Sequence, residues 1–574
     1  MAAKVITSDE AAGLVEDGQT LGIQGIICTS VAEELIEALA ARFKRTGEPK
    51  AITVFTESGI GDADQRGLNA LALDGLIGEL HCAHLGTAPA MAAAVAGNTF
   101  PAFIVPQGVN AQLLRAIAGK KPGVVTTVGL GTYADPRVEA CHGNQTAKES
   151  GKRVVELIEL DGEEYLRYLP RQIDVCFVRA TSADEAGNLS IERESIRFDQ
   201  LEMATATRNS GGIVIAQVER IVQRGSLNPH SVVIPGLLVD YVVVSDPARH
   251  RQCMIEDDYH PEWSGEARLP LAAGEPTALT ARKVCGRRAA FLLQDGYHVN
   301  LGIGIPDSVS DVAAEEGVAG NISMSIEAGI YGGVPMGGLK ICSAHNPECI
   351  ISQVATFDIY DGGGIDLAVL GAAEIDRDGN VNVSKFAGRV VGPGGFINIS
   401  QSTQTVAFVG TFTAGGNQFE IGDGQLRIVR EGRNIKFKDQ VEQITFSGEY
   451  AARTGKDVYY ITERAVFKLV DGGIMLIEIA PGVDLQRDVL GQMDFEPLIA
   501  PGLRLMDPRI FTDAPMGLTI NAAGGADEGD TAGATRVAGA TSRAGAPKTP
   551  SAAGADAQAG ADAAAPETAE LALA

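Results

Sequence analysis

One acidic side chain stands alone in a glycine-rich stretch, Ser323-Met324-Ser325-Ile326-Glu327-Ala328-Gly329-Ile330-Tyr331-Gly332-Gly333-Val334-Pro335-Met336-Gly337-Gly338. Glu327 is the only carboxylate between Glu316 and Glu348, and five glycines follow it within eleven residues. Glycine lets the backbone take unusual angles and lets a ligand approach closely. An ionised carboxylate can attack a carbonyl carbon without a general base. The alternative is a loop acid that satisfies nearby amides. Gly302-Ile303-Gly304-Ile305-Pro306 lies between a strand pattern and a helix pattern, so its amides could face a phosphate at the helix N-terminus. Lys340 is a candidate cation for the same ligand, against the alternative of a surface lysine. His81-Cys82-Ala83-His84 offers two histidines three apart but no third ligand, so no metal is expected. Gly129-Leu130-Gly131 lacks the rest of a dinucleotide fingerprint, and no Ser-His-Asp order suggests a hydrolase elbow.

The stretch around Glu327 resembles the catalytic segment of the family I coenzyme A transferases, most closely the single-chain acetate/propionate type. The likeness continues through Tyr360-Asp361-Gly362-Gly363-Gly364-Ile365-Asp366-Leu367, Gly392-Pro393-Gly394-Gly395-Phe396-Ile397-Asn398 and Gly410-Thr411-Phe412-Thr413-Ala414-Gly415-Gly416. It covers about residues 4–517, with the motifs in one order. The resemblance implies that Glu327 attacks an acyl-CoA and becomes a glutamyl-CoA thioester. It implies that Gln107, in Pro106-Gln107-Gly108, helps form an oxyanion hole. A backbone N–H of Gly394 or Gly395 completes it from the second half, and the sequence leaves the choice between the two open. Coenzyme A is then a substrate, and no prosthetic group is expected. The reaction implied is transfer of CoA between short-chain acyl-CoA thioesters and free acids of the acetate, propionate and butyrate class, by a ping-pong scheme. An acyl-CoA hydrolase on the same fold and a non-catalytic CoA binder are the alternatives. Two segments depart from the family pattern. Gly22-Ile23-Gln24-Gly25 stands where many members carry Gly-Gly-Phe, and Ser325-Ile326-Glu327-Ala328-Gly329 where many carry Ser-Glu-Asn-Gly.

The elements that must position these residues repeat. A helix pattern opening at Ser8, as N-cap, ends at Asp17-Gly18 and is followed by a strand near Leu21 and Ile23. Arg287 to Gly296 does the same before Val299 and Leu301. At a fixed offset of 278 residues, Ala11/Ala289, Ala12/Ala290, Leu14/Leu292, Asp17/Asp295, Gly18/Gly296, Ile27/Ile305, Ser30/Ser308 and Val31/Val309 are identical. The strands opening at Ile173-Asp174 and Ile365-Asp366 lead to turns sharing Asp and Gly-Asn, now at an offset of 192. The drop from 278 to 192 gives the first half 86 more residues between landmarks. Short β-branched runs (51–55, 102–105, 213–216, 365–370, 405–409) alternate with helical stretches (31–41, 111–118). That alternation predicts an α/β protein of two related domains with mainly parallel sheets. Antiparallel strands are expected late in the second half, at 426–430, 435–438, 444–446 and 458–462. The expected division is 1–262, a linker at 263–280 beginning near His260-Pro261-Glu262-Trp263, and 281–520. Residues 521–574 are rich in Ala, Gly, Asp and Thr, with no aromatic residue and almost no Leu, Ile or Val, and read as a disordered tail.

The totals set limits. With 574 residues the chain is long enough for more than one domain, and 45% hydrophobic with 21% charged residues is ordinary for a globular protein. A formal net charge of −26 argues against nucleic acid and membrane-surface partners. The overall field cannot steer an anion such as CoA, so its site must rely on local amides and a few placed cations. Eight scattered cysteines without a C-x-x-C pair read as reduced, mostly buried thiols. There is no signal-peptide pattern and no membrane-length apolar run. A cytoplasmic homo-oligomer, dimer or tetramer, is the resulting expectation.

Overall fold

The computed structural model describes residues 3–270 and 276–520; the predicted tail, 521–574, lies outside them. Among the described residues two large sheets organise the chain. The first runs Lys4–Val5, Tyr241–Val244, Ile213–Val222, Val175–Asp184, Thr20–Ile23, Ile52–Phe55, Ile77–Cys82, Ala102–Ile104, and every pairing along this path is parallel. The second runs Cys349–Ile350, Ile330–Tyr331, Ser323–Ile326, His298–Leu301, Leu367–Leu370, Thr405–Val409, Asp457–Ile461, then Ala465–Val470, Gly473–Ile479 and Leu498–Leu505. Its centre, from Ser323–Ile326 to Asp457–Ile461, is parallel. Strands such as Val175–Asp184 and Leu367–Leu370 are buried throughout. Layers on both faces require that, and it explains their continuous apolar runs. This is the α/β architecture with two related sheets that the alternating pattern predicts.

The duplication is visible in register. Leu21 pairs with Val175, and Val299 pairs with Leu367, so the offsets of 278 and 192 describe neighbouring strands of one repeated unit. The Asp-x-x-Gly-Asn turns match bond for bond. Asn188 N–H and Asn380 N–H each donate to the aspartate four residues earlier at 3.0 Å, and each asparagine carboxamide does the same at 3.0 Å. The repeated turn is therefore an aspartate-capped loop whose geometry requires both acid and amide.

Several local expectations are corrected. The first helix is capped by Thr7, not Ser8. Thr7 Oγ1 accepts the Glu10 N–H at 3.2 Å while Glu10 reaches back to the Thr7 N–H at 2.8 Å, a capping box that the acid three residues on makes favourable. That helix ends at Gly13, short of Asp17. Its second-half counterpart spans Ala281–Ala290, capped by Thr280, and so begins before Arg287. Asp457–Ile461 is not purely antiparallel: it pairs parallel with Thr405–Val409 on one side and antiparallel with Ala465–Val470 on the other. Phe437–Lys438 pairs parallel with Glu374–Asp376, and residues 444–446 contribute only a single bridge, Val381 to Phe446. Trp263, placed at the start of the linker, is fully buried in the first core and stacks on His260 at 4.1 Å. A large apolar ring overrides the absence of periodicity around it.

Candidate active site

Glu327 follows the strand Ser323–Ile326 and opens the turn Glu327-Ala328-Gly329, after which Ile330–Tyr331 folds back antiparallel, Ile326 facing Ile330. Gly329 makes that turn possible. Its φ is +104°, and a Cβ there would lie 2.0 Å from the Ile351 carbonyl oxygen. The strand is held from below by Ser325 Oγ, which contacts Tyr360 OH at 2.7 Å and His298 Nε2 at 2.6 Å. The glutamate thus sits at the C-terminal end of a parallel strand, where α/β sheets place their ligands. Burial pushes its carboxyl above the ordinary carboxylate range, and only its own backbone N–H opposes this. An acid partly desolvated with no cation beside it is a more basic, more reactive nucleophile.

Glu327 lines a cavity of about 290 Å³ between the halves, together with Gln107, Ser58 and His84 of the first half and Gly394 and Gly395 of the second. Gln107 opens the helix Gln107–Ala118 directly after Ala102–Ile104 and Pro106. Its backbone N–H donates to the Gly394 carbonyl at 3.0 Å, and Gly394 N–H donates to the Ala83 carbonyl at 3.0 Å. These bonds stitch the halves together at the cavity. They also occupy the Gly394 N–H. Gly395 N–H has no hydrogen bond among the described residues, so of the two glycines it is the one with a donor left for a ligand.

Part of the expected phosphate cradle reaches the cavity. Gly302 and Ile303 line the cavity, but Gly304, Ile305 and Pro306 do not. The start of the following helix, Ser308–Glu315, already has a carboxylate: Asp307 accepts the Gly304 N–H at 3.3 Å and pairs with Arg282. Arg282, which also binds the Gly304 carbonyl and lies 3.8 Å from Asp311, is the guanidinium on the cavity wall. Lys340 pairs with Glu256 of the first half and does not line the cavity.

The two histidines of His81-Cys82-Ala83-His84 diverge. His81 pairs with Glu79 at 2.7 Å and stacks on Phe103 at 5.0 Å, while His84 faces the cavity. Burial pulls His81 down to about 3 and His84 down to about 4, so both rings are neutral near neutrality. Among the described residues no group of three or more metal-ligating side chains occurs. Ser58 and Arg282 escaped the reading of the sequence, and His84 was weighed only as one of a possible metal pair. Ser58 carried a signal: Glu57-Ser58-Gly59-Ile60 echoes Glu327-Ala328-Gly329-Ile330 at an offset of 270. Arg282 carried none that composition or spacing reveals.

Comparison with known proteins places these observations. The family model described as Coenzyme A transferase matches residues 5–245. The chain is 46% identical over 523 residues to a caffeate CoA-transferase of Acetobacterium woodii, covering 90% of this chain and 99% of that protein. It is 41% identical over 527 residues to the acetate CoA-transferase YdiF of Escherichia coli K12, covering 90% and 97%. The crystal structure of the YdiF apoenzyme from Escherichia coli O157:H7 superposes with a TM-score of 0.87 at 41% identity, over 91% of this chain and 98% of that one. A second structure of that protein, described as a thioester complex with CoA, gives a TM-score of 0.86 over the same shares.

Proposed function

We propose that this chain, which belongs to the coenzyme A transferase family, moves CoA between short-chain acyl-CoA thioesters and free acids of the acetate, propionate and butyrate class through a thioester on Glu327. The observation that carries this reading is an unpaired glutamate opening on a cavity shared with Gln107 and Gly395. In the first half-reaction a Glu327 oxygen attacks the acyl carbonyl carbon. The C–S bond breaks, CoA leaves as thiolate, and an acyl-glutamyl anhydride remains. The thiolate attacks the glutamyl carbonyl, the anhydride C–O bond breaks, and the free carboxylate departs. A second carboxylate then attacks the glutamyl-CoA and the steps run in reverse. No net proton is exchanged, which suits a site whose histidine stays neutral.

Each tetrahedral stage places negative charge on a former carbonyl oxygen. The Gln107 carboxamide and the Gly395 N–H are the donors assigned to it, and removing one such donor costs on the order of a hundredfold in rate. The short-chain assignment rests on the limited size of the cavity and on the apolar side chains in its wall, Ile26, Ile27, Ile326 and Val383 among them. The test is intact-protein mass spectrometry and peptide mapping after incubation with acetyl-CoA and no acceptor acid. A CoA adduct on Glu327 is expected. An adduct on another residue, or turnover without any adduct, overturns the mechanism.

A further inference from the structure

Gln107 can serve as a donor only if its amide is turned the right way, and nothing in its own side chain decides that. The surrounding hydrogen bonds do. The chain begins at a group of fixed polarity: the Val354 backbone N–H donates to Asp199 Oδ1 at 3.1 Å. The other Asp199 oxygen accepts from Gln353 Nε2 at 2.8 Å. With its nitrogen committed there, Gln353 presents Oε1 to Gln107, whose Nε2 donates to it at 2.7 Å. Gln107 Oε1 in turn accepts from Ser58 Oγ at 2.9 Å. Asp199 and Gln353 are fully buried, so water does not supply them with alternative partners, and Ser58 and Gln107 are each 2% exposed. Ser58 and Gln107 reach the cavity; Asp199 and Gln353 do not.

From this geometry we propose that Asp199 is a positioning residue, which acts through Gln353 to hold the Gln107 amide with its second N–H available to the cavity. The proposal rests on the reading of Gln107 as an oxyanion donor. It requires Asp199 to accept from both neighbours, as a carboxylate does. Glu57 is the nearby acid that competes with Asp199 for the same negative charge, with Glu202 on the same side; Arg115 is the cation acting on Asp199, and Arg197 and Arg115 act on Glu202. Burial pushes both carboxyls well above the ordinary range, but two N–H donors point at Asp199 whereas neither oxygen of the enclosed Glu57 has a hydrogen-bond partner among the described residues, so ionisation of the pair favours Asp199. In Asp199→Asn the Val354 N–H retains the side-chain oxygen, and an NH₂ then meets Gln353. That amide turns over, and Gln107 turns with it, carrying its free N–H to the other edge.

The experiment is a double-mutant cycle on the full chain, reading kcat and KM for acyl-CoA with thermal unfolding as a control. Asp199→Asn should lower kcat on the order of a hundredfold, as Gln107→Ala does, with KM little changed. The double variant should be no slower than Gln107→Ala alone, because both changes remove one donor. Gln353→Met breaks the same chain without touching the acid and should be absorbed in the same way, which keeps the test open if Asp199→Asn does not fold. Full turnover in a folded Asp199→Asn, or losses that multiply with Gln107→Ala, overturns the proposal. A Gln107→Ala enzyme as fast as the parent overturns it as well. The adduct on Glu327, measured in the same samples, reports separately on the transfer mechanism.

Discussion

Two glutamates occupy equivalent places in the two halves, and only one opens on the cavity. Leu21 pairs with Val54, and Val299 with Met324. Counting three residues on from each partner gives Glu57 and Glu327, each followed by a residue, a glycine and an isoleucine. After Glu327 the chain returns as a hairpin, and the carboxylate is left at the lip of the cavity. After Glu57 it continues beneath the His84 segment: a Cβ on Gly59 would lie 2.0 Å from the His84 carbonyl oxygen, and Ile60 bridges to Ile27. Glu57 is fully buried beside Asp199, and burial holds it well above the ordinary carboxylate range. The duplicated strand end delivers an acid in both halves. What covers it decides whether the acid opens on the cavity or is sealed in the core.

The largest expected difference between the two is catalytic. Glu327→Gln should abolish both the CoA adduct and transfer, since a neutral amide does not attack a thioester, whereas Glu57→Gln should leave turnover close to that of the parent. Loss of transfer in a folded Glu57→Gln variant breaks the comparison. Next comes Glu327→Asp, which keeps the charge but withdraws it by one methylene. A displacement of about 1 Å costs on the order of a hundredfold, read in kcat under saturating acyl-CoA.

The third difference is in stability against pH. Glu57 has its folded pKa raised from 4.5, so the folded state binds the extra proton and its contribution is complete below that value and lost as pH rises toward the folded pKa. Glu57→Gln removes this loss. Its melting temperature should match the parent's near pH 4 and exceed it increasingly toward pH 8; a constant gap across that range counts against a protonated Glu57. The smallest effect is expected at the residue after the glutamate. Ser58→Ala installs the side chain that Ala328 carries at the equivalent position and removes one hydrogen bond to Gln107. That bond is worth about 1 kcal/mol, which denaturant unfolding resolves. Turnover should fall far less than in Glu327→Asp.

The reading of isolated residues succeeded where one local cause dominated. Thr405–Val409 and Leu367–Leu370 are strands because short apolar runs buried on both faces have few other solutions. It did not foresee the partners of Lys340 and Gly304, Glu256 and Arg282, which come from 84 and 22 residues away. Long side chains choose among distant partners that spacing does not encode. Trp263 failed for a related reason, since its burial depends on a pocket assembled by the first core.

The sequence by itself determined the repeated α/β unit, the glycine that lets Glu327 turn a corner, and the likeness to coenzyme A transferases. All of these rest on local backbone demands or on motifs contiguous in the chain. Only the tertiary structure decided that Gly395 and not Gly394 keeps a free N–H, that Asp307 pairs with Arg282, and that Glu57 is sealed while Glu327 lines the cavity. Each of these is a question of which donor, acceptor or cover arrives from the opposite half, and that is settled when the two sheets close on one another.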